Sequence, residues 1–365
     1  MTLDSNPLIR ATPEEPTISP DGEPRLRNSR FGERPLVTSA VTGSNGFLGS
    51  HLTERLLREG QNVVEVDRTP LPVYLAPPFS GGFERAATAF DFRQADLAVD
   101  DPLPLLQDVD TVFHLAGESG VRESWGDRYE AYVRANVLGT QRLLEACRAV
   151  GVRRVIIASS SSVYGPAPEG PSHTGDLPQP LSPYGVSKLA AERLALAYAG
   201  EADFDVCALR YFTVYGPRQR LTMLMSRILQ AAHTGSPMTV FGDGAQRRHF
   251  TFVDDAVEAT VLAGCRPWTG SHVVNVAGPS SSSVAEVLAT AESVLNTPIL
   301  VNREPNRAGD AVATEADLSP AADLFGYCPQ IGLTEGITEH WRWYRSSVDD
   351  AAGPSARLSA TGGAR

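Results

Sequence analysis

Tyr184 and Lys188, four residues apart in SPYGVSKLAAERLALAY, are the pair in this chain best suited to acid–base chemistry. Ser182 suits an N-cap and Pro183 the first helical position, so the spacing predicts a helix carrying phenol and ammonium on one face. A phenol with its ordinary pKa of ~10 is a poor base at neutral pH, but a neighbouring cation favours phenolate and makes Tyr184 a usable general base. The same spacing also occurs on ordinary solvent-facing helices, where the pair does no chemistry. Just upstream, ASSSSVYG (Ala158 to Gly165) stacks four hydroxyls directly after RRVII, where a buried strand should stop.

A second constellation lies near the start. Gly43, Gly46 and Gly49 form GxxGxxG between a β-branched run and a segment with Leu48, Leu52, Leu56 and Leu57 at helical spacing. Such glycines serve a tight turn, close backbone approach to a pyrophosphate, and close packing of helix on strand, with the helix N-terminus facing the phosphates. A glycine-rich turn without a ligand is the alternative. Asp67 ends the next apolar run, NVVEVD, 24 residues after Gly43. Its carboxylate could accept from adenosine ribose hydroxyls and would repel a 2′-phosphate, which favours NAD. Arg68 beside it could accommodate the phosphate of NADP, and a turn-forming acid is the plain alternative for Asp67.

These residues need a scaffold, and the chain supplies one. After NVVEVD come FDFRQADL, DTVFHLAG, a long helical pattern around Tyr129 to Val150, and RRVIIASS. Strands alternating with helices predict an α/β fold, a Rossmann-type doubly wound parallel sheet with right-handed crossovers and its ligands outside the carboxyl ends of the strands. The expected organisation is a disordered tail over 1–34, an NAD-binding domain over 35–212, a smaller α/β substrate-binding domain over 213–345 with segments returning to the sheet, and a second tail over 346–365.

Composition narrows the function classes. With 42% apolar and 21% charged residues among 365, the chain reads as globular, and its formal charge of −11 with no basic run argues against nucleic acid. Cys147, Cys207, Cys265 and Cys328 lie far apart, with no CxxC pair and no histidine at metal-ligand spacing, so neither a disulfide framework nor a metal site is expected. The N-terminus lacks a basic segment leading into an apolar run, and no stretch of about 18 apolar residues occurs, so the expected location is cytoplasmic with no membrane partner.

With GxxGxxG, HLAG, ASSSSVYG and YxxxK in that order, the chain resembles the extended short-chain dehydrogenase/reductases, in the NAD-dependent epimerase/dehydratase group acting on nucleotide sugars, over roughly residues 36–344. The resemblance implies that Tyr184 is the base, that Lys188 also binds the nicotinamide ribose, and that Ser160 hydrogen-bonds the sugar hydroxyl being oxidised. It makes Asp96 an adenine contact and adds Asn45, Phe47, Leu48, Leu97, Leu115, Ala116, Gly117 and Tyr211 to the NAD site. Ser159 reads as satisfying backbone at the strand end. His114 reads as a packed strand-end histidine.

Ser161 and Ser162 carry the choice of reaction. The 4,6-dehydratases of the family have Asp and Glu at these positions, and UDP-glucuronate decarboxylases keep the Glu. Without that pair, elimination lacks its proton donor and acceptor, which leaves oxidation and reduction at C4, hence epimerisation. Arg248 and Arg307 match diphosphate contacts, and Asp310 lies beside the latter in NRAGD. His249 departs from the usual Asp, with a structural effect expected.

The chain is most similar to UDP-glucuronate 4-epimerases, in which residues matching Thr213 and Arg220 meet the C6 carboxylate. Neutral Ser161 and Ser162 would welcome that carboxylate. RLTML after Gln219 departs from the usual Arg-Pro-Asp-Met-Ala. Rival readings are a UDP-glucose 4-epimerase, a decarboxylase or 4,6-dehydratase, and an NAD-binding regulatory protein on the same fold. The family commonly forms homodimers through helices that here fall near Tyr129 to Val150 and Pro183 to Gly200.

Overall fold

Short β-branched runs alternate with amphipathic segments from Thr38 onward, and the chain folds accordingly. In this computed structural model, residues 37–70, 90–166, 170–305 and 313–351 are described. β1 (Thr38–Thr42) leads through a glycine turn into α1 (Phe47–Arg58), followed by β2 (Asn62–Asp67), β3 (Phe90–Gln94), β4 (Thr111–His114), β5 (Arg154–Ser160) and β6 (Asp205–Tyr211). One sheet takes the order Ser271–Val276, β6, β5, β4, β1, β2, β3, with every neighbouring pair parallel. The order reverses at β1, which lies between β2 and β4. A crevice therefore opens at the carboxyl ends of these strands, where such sheets bind ligands.

Because strand side chains alternate, the sheet builds a core on each face. Val41, Phe113 and Ile156 pack with Leu52 and Leu56 of α1 and with the helix Val253–Cys265. Their neighbours Ala40, Val112 and Ile157 pack on the other face, against Leu143 and Leu144 of the helix Gly139–Val150 and Ala191 and Ala195 of the helix Pro183–Glu201. Burial on both faces explains why the strands read as continuous apolar runs. Truncating Leu143, which is fully buried, to Ala should cost about 2–5 kcal/mol. The helix Pro183–Glu201 starts as the sequence dictates: Ser182 Oγ accepts from Gly185 N–H at 3.1 Å and Pro183 opens the first turn. That cap is worth about 1 kcal/mol.

The expected long helix around Tyr129 to Val150 is interrupted. A short turn, Tyr129–Tyr132, passes into a π-helical segment, Val133–Leu138, before the α-helix Gly139–Val150. Such widened turns re-aim one side chain, frequently toward a functional site. Beyond β6, the strand Arg247–His249 pairs with Ser281–Ser283 and Ala313–Thr314, while Met238–Phe241 pairs with Val301–Glu304. The last helix, Leu333–Ala351, continues past residue 345, where the sequence reading began the C-terminal tail; Trp341 and Tyr344 on it pack against the core. Residues 1–34 lie outside the described residues. Among the described residues no cluster of His, Cys, Asp and Glu could hold a metal ion, and no helix is long and apolar enough to cross a membrane.

Candidate active site

β1 ends at Thr42 and the chain turns at Gly43 with φ +73°. A Cβ there would lie 2.7 Å from Ala116 N, and one at Gly49 would lie 2.0 Å from the Gly43 carbonyl oxygen. Only glycine lets α1 and the loop after β4 approach this closely. Gly46 precedes α1 with no side-chain cap and no acid in the first turn, leaving the N–H groups and positive dipole end for an anionic group.

Asp67 ties the neighbouring loops together. One carboxylate oxygen accepts from Asn45 N–H at 3.0 Å; the other accepts from the Thr69 N–H at 2.9 Å and hydroxyl at 2.8 Å. Asp67 is thus both the turn-forming acid and a wall of the cleft. A cavity of about 260 Å³ follows, bounded by Gly43, Asn45, Gly46 and Phe47 on one side, by Asp67, Arg68, Asp96 and Leu97 on another, and by Leu115, Ala116 and Gly117. Arg68 pairs with Glu118 from the loop after β4, and this bond holds the guanidinium pKa above its usual value. Its charge is already met by a carboxylate rather than held open for a phosphate. Narrow glycine turn, uncapped helix end and ribose-height carboxylate fit the dinucleotide that the glycine pattern predicts.

The cleft continues past Gly43, Gly46, Phe47, Leu115, Gly117 and Arg220 into a second cavity of about 370 Å³. This one gathers Leu48 and Gly49 with Ser160, Ser161, Ser162, Tyr184, Lys188, Tyr211 and Thr213. Among its described lining residues there is no Asp or Glu; Lys188 and Arg220 are its cations. Ser160 accepts from Ser162 N–H at 3.1 Å and lines the same cavity as the Tyr184 phenol. Removal from water raises the phenol pKa, with Ser160 working the other way. Lys188, buried, is pulled down to about 8 by the same desolvation. The sequence predicts that the ammonium depresses the phenol; instead burial raises it, and each group is shifted chiefly by its own removal from water.

All four serines, Ser159 to Ser162, line the reaction cavity, and they differ in their partners. Ser159 does not satisfy backbone as expected: its hydroxyl donates to Glu192 Oε2 at 2.6 Å, a partner 33 residues away.

Asn136, in the π-helical segment, is a residue the sequence reading missed. Its Oδ1 accepts from Glu118 N–H at 2.8 Å, and its Nδ2 donates to the Glu118 carbonyl at 3.0 Å and to Ser187 Oγ at 2.9 Å. It therefore clamps the loop after β4 to the residue beside Lys188. A Cβ at Gly117 would lie 2.5 Å from Asn136 Oδ1. His114 supports the same loop. Thr140 gives its only hydroxyl proton to the Asn136 carbonyl, 2.7 Å away, so His114 Nε2, 2.8 Å from that hydroxyl, carries the imidazole proton. Nδ1 then accepts from Thr42 Oγ1 at 2.8 Å. Burial drives the pKa of His114 down to about 3, which keeps it neutral and makes it the packed histidine expected.

Arg220 is exposed and lines both cavities despite the altered RLTML sequence after Gln219. The preceding residues explain its place. Arg218, in the left-handed region at φ +68°, bonds Glu54 at 2.7 Å and Ser50 Oγ at 3.1 Å, and Gln219 Nε2 donates to the Val214 carbonyl at 2.8 Å. Arg248 lies on the strand Arg247–His249, donates to the Arg247 carbonyl at 2.7 Å, and lines neither cavity. Arg307 and Asp310 lie outside the described residues. His249 is buried, accepts from Ala316 N–H at 3.1 Å, and stands edge-on to Phe212 at 6.2 Å between ring centroids, a packing role.

Comparison with known proteins shows the family. Residues 39–277 match the NAD dependent epimerase/dehydratase family. Over 305 residues the chain is 37% identical to the Bacillus subtilis (strain 168) protein described as an uncharacterized UDP-glucose epimerase, YtcB, spanning 82% of this chain and 95% of that one. Among solved structures, MoeE5 in complex with UDP-glucuronic acid and NAD is 44% identical with a TM-score of 0.78, covering 85% of this chain and 99% of MoeE5. MoeE5 is also known in complex with UDP-glucose and NAD. The UDP-glucuronic acid 4-epimerase from Bacillus cereus, in complex with UDP-glucuronic acid and NAD, is 36% identical with a TM-score of 0.80, covering 85% of this chain and all of that one, 100%.

Proposed function

The chain belongs to the NAD-dependent epimerase/dehydratase family, and from that premise we propose that it is a UDP-glucuronate 4-epimerase. The observation that carries the reading is a hydroxyl, a phenol and an ammonium converging on a cavity whose described walls hold no carboxylate. Ser160 and Tyr184 would share the sugar 4-hydroxyl, and Tyr184 would take its proton as the C4 hydrogen leaves with its electron pair. Bound NAD supplies the acceptor for that hydride and its donor on return. Lys188 holds positive charge beside the phenol, which lowers the cost of forming phenolate. The 4-keto sugar then turns over in the cavity, the hydride reaches its opposite face, and Tyr184 gives the proton back, with no net redox change.

The sugar preference rests on charge. Thr213 and Arg220 stand in the cavity with Ser161 and Ser162, a neutral and cationic set that would welcome a C6 carboxylate, whereas acids at the two serine positions would repel it. The likeness to UDP-glucuronic acid 4-epimerase structures supports this choice. Uridine diphosphate would extend toward the C-terminal half, where Arg248 and Arg307 are our candidate diphosphate contacts and Asp310 a candidate substrate-binding residue. Exposed Val133 and Leu138 beside the helix Gly139–Val150, and Val186 on the helix Pro183–Glu201, support a homodimer formed through these segments.

Purified protein incubated separately with UDP-glucuronate and UDP-glucose tests the reading through NMR couplings at C4 and product mass. Inverted C4 at unchanged mass with UDP-glucuronate supports it. Inversion only with UDP-glucose transfers the assignment to that sugar. Loss of CO2 or water, or the absence of any turnover, contradicts it.

A further inference from the structure

If Ser160 and Tyr184 share one sugar oxygen, something must hold them together from behind. Ser159 faces the helix Pro183–Glu201 and donates to Glu192 Oε2 at 2.6 Å. Glu192 lies one helical turn beyond Lys188. Its carboxylate also receives Arg210 Nε at 2.9 Å and Nη2 at 2.7 Å, and the two side chains are 0% and 1% exposed. Arg210 is the residue of β6 before Tyr211, which lines the reaction cavity. Its guanidinium sits 4.6 Å over the Tyr164 ring; Tyr164 donates to Asn275 Oδ1 at 2.6 Å, and Asn275 donates to the Ser172 and Asp317 carbonyls. One buried polar chain therefore joins β5, the helix bearing Tyr184, β6 and the strand Ser271–Val276.

An apolar cluster would hold these elements more cheaply, since buried ion pairs seldom repay their desolvation. A forked arginine–carboxylate contact instead fixes distance and orientation together. Neither Glu192 nor Arg210 lines either cavity of the site. We propose that Glu192 and Arg210, acting through Ser159, are positioning residues that set the rotation and register of the Tyr184 helix against the end of β5, and so the Ser160–Tyr184 contact. This inference rests on the reading of Tyr184 as the base.

The test uses the NAD-loaded enzyme and the variants Ser159→Ala, Ser159→Thr and Glu192→Gln. Ser159→Ala removes one donor without stranding a charge and should leave a folded protein. Its expected effect is a fall in kcat of about tenfold or more, the scale at which small misplacements act. KM should stay within about twofold, because the uridine diphosphate contacts are untouched. Reduced cofactor, read at its own absorbance, should accumulate as hydride return slows. Ser159→Thr, which keeps the hydroxyl, should restore kcat, and Glu192→Gln should lower it further if the protein folds. Crystal structures should place Ser160 Oγ and the Tyr184 phenol in hydrogen-bond contact in the wild type and apart in Ser159→Ala. A lower melting temperature with wild-type kcat and an unchanged Ser160–Tyr184 contact overturns the proposal. Should the wild type turn over no UDP-sugar, the functional reading fails by itself, and the two crystal structures still decide the positioning role.

Discussion

The hydroxyl of Ser160, at the end of β5, and the phenol of Tyr184, in the first turn of the helix Pro183–Glu201, line one cavity, and Ser160 draws the phenol pKa down against the rise that desolvation causes. Placed so, they offer a sugar hydroxyl two partners. Removing only the phenolic oxygen, with Tyr184→Phe, should cost about 10²–10⁴ in kcat, the usual worth of a positioned general base. Affinity for UDP-sugar, measured by calorimetry, should change little. A variant retaining full turnover assigns the proton transfer to another group.

Lys188 ties activity to pH in a defined direction. Its ammonium is needed beside the phenol, and desolvation brings its pKa to about 8. kcat/KM should therefore fall as pH rises through about 8, and Lys188→Arg should move that fall upward or abolish it. Stability runs the opposite way. The unfolded chain holds the proton up to its ordinary value near ~10.4, so between the two values it binds more protons than the folded state, and stability rises with pH. Below about 8 the buried charge costs about 3 kcal/mol, so Lys188→Met should raise the melting temperature at neutral pH while abolishing turnover. Calorimetric scans at pH 7 and pH 9.5 check both signs, with the gain smaller at the higher pH.

Gly49 separates the fold from the cofactor site. A methyl there would meet the Gly43 carbonyl oxygen, a backbone atom with no room to yield, at 2.0 Å. Gly49→Ala should displace the glycine turn from α1 and remove cofactor retention through gel filtration, read as absorbance of bound dinucleotide. Gly60→Ala tests backbone strain without crowding, since a Cβ there meets nothing within 4 Å although φ is +78°. It should retain cofactor.

Arg220 sets the sugar preference by charge. Arg220→Met keeps length and removes the cation. KM for UDP-glucuronate should rise about 10–100-fold, the scale of a lost charge-assisted contact of about 1.5–3 kcal/mol. UDP-glucose, lacking the carboxylate, should be affected less than about threefold. Equal losses for both sugars would mean that Arg220 grips the diphosphate instead.

What the sequence reveals and what it hides divide by range. The glycine turn, the capped helix with Tyr184 and Lys188, and the alternation of strands and helices are written in local spacing, and the chain follows them. The partners that give the site its shape are not local. Ser159 meets Glu192, Asn136 meets Glu118 and Ser187, and Arg68 meets Glu118, all through sheet topology. Nothing in VRANVL marks a π-helical segment, because its residues suit an α-helix equally well. The phenol pKa is hidden for a related reason: charge proximity is visible in a spacing of four, whereas desolvation exists only once the cleft is built.

The most direct measurement is epimerisation of UDP-glucuronate in D2O, followed by NMR and mass analysis of the product. Hydride leaving and returning at C4 through a dinucleotide never exchanges with solvent, so the account predicts inverted C4 with protium kept at both C4 and C5. Deuterium at C5 would reveal a base acting at that carbon in a cavity whose described walls hold no carboxylate, and would contradict it.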